Sequence, residues 1–302
     1  MKHIVITGAT GMIGSAIVRE ALKRDCEVTC IIRANSARAV NIPKDSRVHI
    51  VDCDISDYAS LELSGNYDAF MHLAWDKTSV GGRDDVDCQL KNIQYTLDAV
   101  RLAKRCGCKV FIGAGSQAEY GVKAEPLTCS MPVNPESGYG IAKFAAGKFS
   151  GMLCKQLGLR YNWIRILSVY GKNDSPNTLI RYAARECQAG RSPEFTKCEQ
   201  IWDYLNCQDA ARAFFAVAEK GVDGKAYPLG SGRGRPLSDY VKAVRDAVNP
   251  AIKIEFGKKP YYPHQPMYLV ADVSELTEDT GWKAEIDFER GIIEMLQGDE
   301  NA

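Results

Sequence analysis

The first half of the chain alternates between short apolar, β-branched runs and longer segments with a helical repeat. The runs fall at 3–7 (His-Ile-Val-Ile-Thr), 27–32, 47–51, 68–73 and 109–113, and each reads as a strand. Residues 12–24 come after a glycine-spaced turn and have a helical pattern. Residues 84–105 place Val86, Leu90, Ile93, Leu97 and Val100 at helical spacing. Pro132, Pro135 and Ser137 mark the start of a further helix over about 137–157, with the serine available as its cap. Tyr161 to Leu167 reads as a sixth strand.

Strands alternating with helices predict βαβ units, and right-handed crossovers turn these into a doubly wound parallel sheet. The fold class is therefore α/β. In such a sheet the ligand crevice opens at the carboxyl ends of the strands. After Gly171 the rhythm weakens, and Pro176, Pro193, Pro228, Pro236, Pro260, Pro263 and Pro266 punctuate the rest of the chain. This predicts a smaller C-terminal α/β region, while a helix at about 207–220 returns to the sheet.

Composition narrows the partners. The 302 residues are 45% hydrophobic and 25% charged, with 38 basic and 38 acidic side chains. A neutral balance gives no support to nucleic acid or an anionic membrane as the main partner. No stretch approaches the roughly 18 apolar residues of a membrane span, and no apolar segment comes after a basic start, so the expected location is the cytoplasm. The 11 cysteines are scattered without a Cys-x-x-Cys pair, and the four histidines are far apart. Buried thiols in a reducing compartment, and no metal site, are expected.

Gly8-x-x-Gly11-x-x-Gly14 joins the first strand to the first helix. Such glycines permit a tight turn and let the backbone approach a dinucleotide pyrophosphate at the helix N-terminus. The sheet is thus of Rossmann type. Residues 1–167 and about 203–224 are expected to form the dinucleotide-binding domain, and 168–202 and about 225–302 the substrate-binding region. The second strand ends without a carboxylate, in Arg33-Ala34-Asn35-Ser36. Arg33 offers a planar fork to the extra phosphate of NADP, and Ser36 can add a donor, so NADP is preferred over NAD. Arg33 as a solvated charge, or stacked on adenine with either cofactor, is the alternative. Asp54 is open between the adenine amine and a helix cap.

Tyr139 and Lys143 lie four residues apart, one turn of a helix, so they share a face. A neighbouring ammonium is expected to lower the phenol from its ordinary value near 10 and fit it for proton transfer. Ser116, at the carboxyl end of the fifth strand, can polarise a substrate oxygen.

These residues resemble the extended short-chain dehydrogenase/reductase family, in particular its NAD-dependent epimerase/dehydratase group acting on nucleotide sugars. The resemblance covers nearly the whole chain. It includes the Gly8–Gly14 turn, Asp54-Ile55, His72-Leu73-Ala74, Asn92 to Thr96, Ser116, Tyr120-Gly121, Tyr139 with Lys143, Val169-Tyr170-Gly171, Asp209 and Gly281-Trp282. It implies that Met12 and Ile13 approach the pyrophosphate through their backbone. Ile55 is a cofactor contact, Leu73, Ala74 and Lys77 line the cofactor, and Asn92 lies near its nicotinamide half. Ser116, Tyr139 and Lys143 match the catalytic triad. A homodimer through the helices at 84–105 and 137–157 is also implied, with Phe144, Phe149 and Met152 as candidate contacts.

Departures from the family narrow the activity. The 4,6-dehydratases place Asp-Glu after the catalytic Ser/Thr, whereas here Gln117-Ala118 comes after Ser116. The 3,5-epimerising members use a cysteine where Ala118 stands and a histidine beyond the sixth strand, yet no histidine occurs between His72 and His264. What remains is hydride transfer at one carbon. A 4-keto-deoxysugar nucleotide reductase is the first expectation, and a 4-epimerase with retained NAD the second. A non-catalytic NADP-binding redox sensor belongs to another class, and the presence of both Tyr139 and Lys143 argues against it. Asn177, Gln200 and Arg233 are the candidate substrate contacts, with Trp202 read more readily as core.

Overall fold

A computed structural model describes residues 1–78, 80–262 and 265–300; Ser79, Pro263, His264, Asn301 and Ala302 lie outside the described residues. The main sheet grows from β1 (His3–Thr7), α1 (Met12–Lys23), β2 (Glu27–Ile32), β3 (Val48–Asp52), β4 (Ala69–His72), α2 (Val86–Arg105), β5 (Val110–Ser116), α3 (Gly138–Leu157) and β6 (Arg160–Ile166). Next come β7 (Ser168–Tyr170), α4 (Leu179–Gln188), β8 (Ile201–Trp202), β9 (Tyr204–Asn206), α5 (Cys207–Lys220) and β10 (Ala226–Leu229). The chain closes with β11 (Arg235–Pro236), α6 (Leu237–Val248), β12 (Tyr268–Leu269), α7 (Ser274–Thr280) and α8 (Phe288–Glu300).

Seven strands pair in the order β10-β6-β5-β4-β1-β2-β3, all parallel. The order reverses between β1 and β4, and that switch point is where a doubly wound sheet opens its crevice. Alternate residues face opposite layers. Ile4 and Ile6 pack with α1 and α5, together with Ile17, Phe214 and Phe215. Val5, Phe70 and Phe111 pack on the other side with Val100, Leu102, Tyr161 and Trp163. Both faces are covered, so the strands read as unbroken apolar runs.

Two boundaries differ from expectation for physical reasons. Strand β5 continues to Ser116 because Gly113 and Gly115 give the Trp163 indole room: a Cβ on either glycine would lie 2.1 or 2.3 Å from that ring. Strand β10 falls inside the stretch assigned from about 225 to the smaller region, yet it pairs with β6 as the seventh strand. The sequence around Pro228 hides it, because proline is tolerated on this edge strand.

Tyr170, Ile180, Phe195, Tyr240, Phe288 and Ile292 form a separate apolar cluster among α4, α6 and α8. Leu276 and Trp282 instead join the main core against α5. The 11 cysteines are free, and most are buried. Among the described residues no helix is long and apolar enough to cross a membrane, and no cluster of ligating side chains could hold a metal ion.

Asp209, fully buried on α5, fixes the approach to α8. Its carboxylate accepts from the backbone of Glu285 (3.0 Å) and Ile286 (2.9 Å) and pairs with Arg212. Asp209→Ala strands these donors, so chemical denaturation is expected to show a loss of about 3 kcal/mol. A loss within about 0.5 kcal/mol, the range of an ordinary surface change, would remove this carboxylate from the fold's supports.

Candidate active site

The turn after β1 is built for close approach. Gly8 has φ +73°, and a Cβ there would meet the Ala74 nitrogen and Leu73 carbonyl carbon at 2.8 Å. A Cβ on Gly14 would meet the Gly8 oxygen at 2.1 Å, so helix and turn touch backbone to backbone. Gly11 is the N-cap of α1, and no side chain caps this helix. Side chains do cap α2, α3, α4 and α5, through Asp85, Ser137, Thr178 and Asn206. The Met12 and Ile13 amides therefore stand in an uncapped first turn, which suits an anion.

Thr7 secures this turn to β4. Its hydroxyl lies 2.8 Å from His72 Nδ1 and accepts from the Leu73 and Ala74 amides at 3.2 Å. His72 Nε2 meets the Thr96 hydroxyl at 3.3 Å, and burial pushes the imidazole down to about 3, so the ring is neutral.

The other predicted cofactor residues differ in what they do. Arg33 is exposed at the end of β2, with no ion-pair partner among the described residues, and Ser36 is half-buried beside it. Asp54 caps a short turn, accepting from the Ser56 amide at 3.1 Å and the Ser56 hydroxyl at 3.0 Å. Of its two readings, the cap is the one the geometry displays. Ile55 packs against the core. Lys77 is turned to Asp85 at 2.6 Å. Asn92 is fully buried and brackets Asp76, accepting from its amide (2.9 Å) and donating to its carbonyl (3.0 Å). It thus fastens the loop after β4.

Ser116, Tyr139 and Lys143 converge. Ser137 caps α3 by accepting from the Gly140 amide, which sets the helix phase. Tyr139 and Lys143 then point inward, 9% and 4% exposed. The Ser116 side chain acts on the Tyr139 phenol, opposing the effect of its burial. Lys143 Nζ donates to the Ala114 carbonyl at 2.7 Å and lies 3.7 Å from the centre of the Trp75 ring. The ammonium is 5.8 Å from the Tyr139 ring centre.

This corrects the expected electrostatics. Burial raises the phenol above its ordinary value of 10, against the opposing pull of Ser116 and Arg83. Burial also pushes Lys143 down to about 7, with Glu119 opposing the fall. In the protein alone, desolvation outweighs the attraction expected from the four-residue spacing.

Sequence reasoning missed the support behind Ser116. Glu119 Oε1 accepts from the Ser116 amide and from Trp163 Nε1, both at 2.8 Å, and Oε2 accepts from Arg165 Nε at 2.8 Å. Two traces of this network stand in the sequence: Trp163 and Arg165 share one face of β6 by their i, i+2 spacing, and Ser116 and Glu119 have the spacing of a capping box. Trp75 and Arg83 were missed as well. Arg83 places its guanidinium 5.1 Å from the Tyr139 ring centre.

The substrate candidates are less gathered. Asn177 is exposed. Gln200 is 3% exposed, with no partner for its Oε1 among the described residues. Arg233 pairs with Asp287 at 2.6 Å on the surface. Trp202 donates to the Ser168 hydroxyl at 2.8 Å and packs at the margin of the core, as expected.

Residues 4–230 match the model of the NAD dependent epimerase/dehydratase family. The chain belongs to that family. Its relatives include dTDP-glucose 4,6-dehydratase of Escherichia coli, 26% identical over 97% of this chain and 92% of the relative. Among solved structures, UDP-N-acetylglucosamine 4-epimerase of Methanobrevibacter ruminantium superposes with a TM-score of 0.88 at 23% identity, covering 99% of this chain and 98% of that one. UDP-glucuronic acid 4-epimerase of Bacillus cereus, solved with a fluorinated UDP-sugar and NAD, gives 0.86 at 20% identity, covering 99% of both chains. The Rossmann-type fold and the kinship with nucleotide-sugar enzymes, read from the sequence, agree with these likenesses.

The buried lysine makes a prediction that needs no substrate. Its proton is bound more weakly in the folded chain than at the ordinary value of 10.5. The folded chain therefore binds fewer protons than the unfolded one between about 7 and 10.5. Wild-type stability is expected to rise with pH across that window relative to Lys143→Met, and to lose the gain as pH falls toward 7. Thermal melts in matched buffers test this, and parallel curves for the two proteins would contradict a desolvated lysine.

Proposed function

We propose that the protein transfers a hydride at C4 of a nucleotide-linked 4-keto-deoxysugar, as a reductase that prefers NADPH. The observation that carries this reading is the convergence of three groups at the carboxyl end of β5: Ser116 at the strand end, the buried Tyr139 phenol on which it acts, and Lys143 donating to the Ala114 carbonyl. The uncapped start of α1 and the close-packed Gly8–Gly14 turn fit a dinucleotide pyrophosphate. Arg33, exposed and without an ion-pair partner among the described residues, fits a ribose phosphate. When bound, the nicotinamide ring supplies the hydride.

The chain's own groups handle the proton. Tyr139, held protonated at neutral pH by its burial, donates to the oxygen that gains charge as C4 is reduced. Ser116 donates a second hydrogen bond to that oxygen, stabilising the developing charge. A protonated Lys143 then stabilises the phenolate left behind. Water elimination lacks its acid and base here, because Gln117 and Ala118 come after Ser116 and Glu119 is engaged by three donors behind the strand. A 4-epimerase that oxidises and re-reduces the same carbon is the second reading, favoured by the epimerases among the structural relatives.

Incubation with NADPH and a 4-keto-6-deoxy nucleotide sugar is expected to oxidise the cofactor in step with sugar reduced. Interconversion of two sugar nucleotides without cofactor consumption would replace this reading with the second. Tyr139→Phe is expected to lose turnover by orders of magnitude while binding the dinucleotide nearly as before. Arg33→Ala is expected to weaken NADPH by about tenfold or more and leave NADH unchanged, since a charge-assisted hydrogen bond contributes roughly 1.5–3 kcal/mol. Equal effects on both dinucleotides would withdraw the NADP preference.

We also propose a homodimer through α2 and α3, which pack side by side and expose Val86, Leu90, Ile141, Phe149 and Met152. Phe144 is half-buried and contributes less. Phe149→Glu is expected to halve the mass measured by light scattering; an unchanged mass at equal concentration would place the interface elsewhere.

A further inference from the structure

Two cations are buried near the reacting groups, Lys143 at 4% exposure and Arg165 at 5%, and Glu119 at 1% is the carboxylate that serves both. The other buried carboxylates are committed elsewhere. Asp98 holds Gln94 and Arg101, Asp203 holds Ser231, Gly232 and Ala271, and Asp209 holds Arg212, Glu285 and Ile286. Glu119 lies three residues beyond Ser116 and turns back beneath it. The Ser116 hydroxyl accepts from the Ala118 amide at 3.2 Å, while the Ser116 amide donates to Glu119, a reciprocal capping arrangement.

Gly115 makes this fit possible, since a Cβ there would lie 2.5 Å from Glu119 Oε1. The carboxylate therefore joins the end of β5, the turn after it and β6 at one point, through donors of fixed direction.

We propose that Glu119 is a positioning residue of the catalytic centre: its carboxylate locks the Ser116 backbone at the end of β5, and supplies buried negative charge to the strand end whose Ala114 carbonyl Lys143 holds. This rests on the reading of Ser116, Tyr139 and Lys143 as the reacting groups. The titratable groups acting on Lys143 are few. His72 from β4 is neutral, Tyr139 on the same helix is protonated at neutral pH, and Trp75 offers only its ring face. Glu119 is the acidic group whose field acts on the ammonium. Its loss moves the lysine toward its neutral form and frees the Ser116 backbone. A carboxylate present merely to balance Arg165 would do neither.

The test uses the whole chain in two parallel measurements. The first records kcat and KM against pH for wild type, Glu119→Gln and the double variant Glu119→Gln/Arg165→Gln. The second records thermal stability against pH in each background with and without Lys143→Met. For Glu119→Gln, kcat is expected to fall on the order of 100-fold, the scale of an ångström-level misplacement. KM for the sugar nucleotide should change little, and the basic limb of the profile should move to lower pH. The lysine's titration in the stability cycle should move the same way. If Glu119→Gln alone does not fold, the double variant, which leaves Arg165 no unpaired charge, carries both measurements.

Unmoved pH positions in an active protein would overturn the proposal. A shifted stability cycle in a wild type that turns over no sugar nucleotide would instead refute the assigned reaction while upholding the Glu119–Lys143 coupling.

Discussion

The desolvated ammonium of Lys143 is the constraint around which the rest of the centre is arranged. It is buried, and fixed protein groups compensate it: the Ala114 carbonyl, the Trp75 face and the field of Glu119. Each of these depends on a different element. Ala114 lies near the end of β5, Trp75 beyond β4, and Glu119 in the turn after β5. The helix carrying the lysine is phased by the Ser137 cap, and Gly138 is tethered to Asp84 at 2.8 Å. A slip in any of them leaves a buried charge without its partner, which costs far more than a surface pair contributes.

The dinucleotide side obeys a different logic. There the backbone is left unsatisfied: α1 begins at Gly11 without a side-chain cap, whereas α2 to α5 each have one. The turn is held rigid from behind by Thr7, which bridges β1 to the Leu73 and Ala74 amides across the switch point. Rigidity from beneath and open donors in front are what a preorganised anion site requires. Neutral His72 lies between the two halves, joining Thr7 to Thr96, so the cofactor turn and the α2 wall of the proposed reaction centre share one polar network.

Local sequence patterns were reliable where the physics is local. Strand alternation, the glycine turn and the Pro-x-Ser start of α3 all reflect periodicity or backbone preference within a few residues. Asn92 and Lys77 were placed near the cofactor by likeness, and Asp54 by its position after the third strand, open between the adenine amine and a cap. In the fold, Asn92 holds the Asp76 backbone, Lys77 answers Asp85, and Asp54 caps its own turn. Strand β10 escaped notice because an edge strand with proline lacks the apolar run that marks its neighbours.

The sequence by itself determined the α/β order of elements, the family likeness and the placing of a phenol and an amine on one helical face. These arise from repeats of 2.0 and 3.6 residues, which need no distant partner. Tertiary structure alone decided the direction in which burial moves the proton affinities of that pair, and the carboxylate beneath it. Desolvation depends on what surrounds a group in space, and Glu119 meets Trp163 and Arg165 only because β5 and β6 are hydrogen-bonded neighbours with Gly115 opposite Arg165.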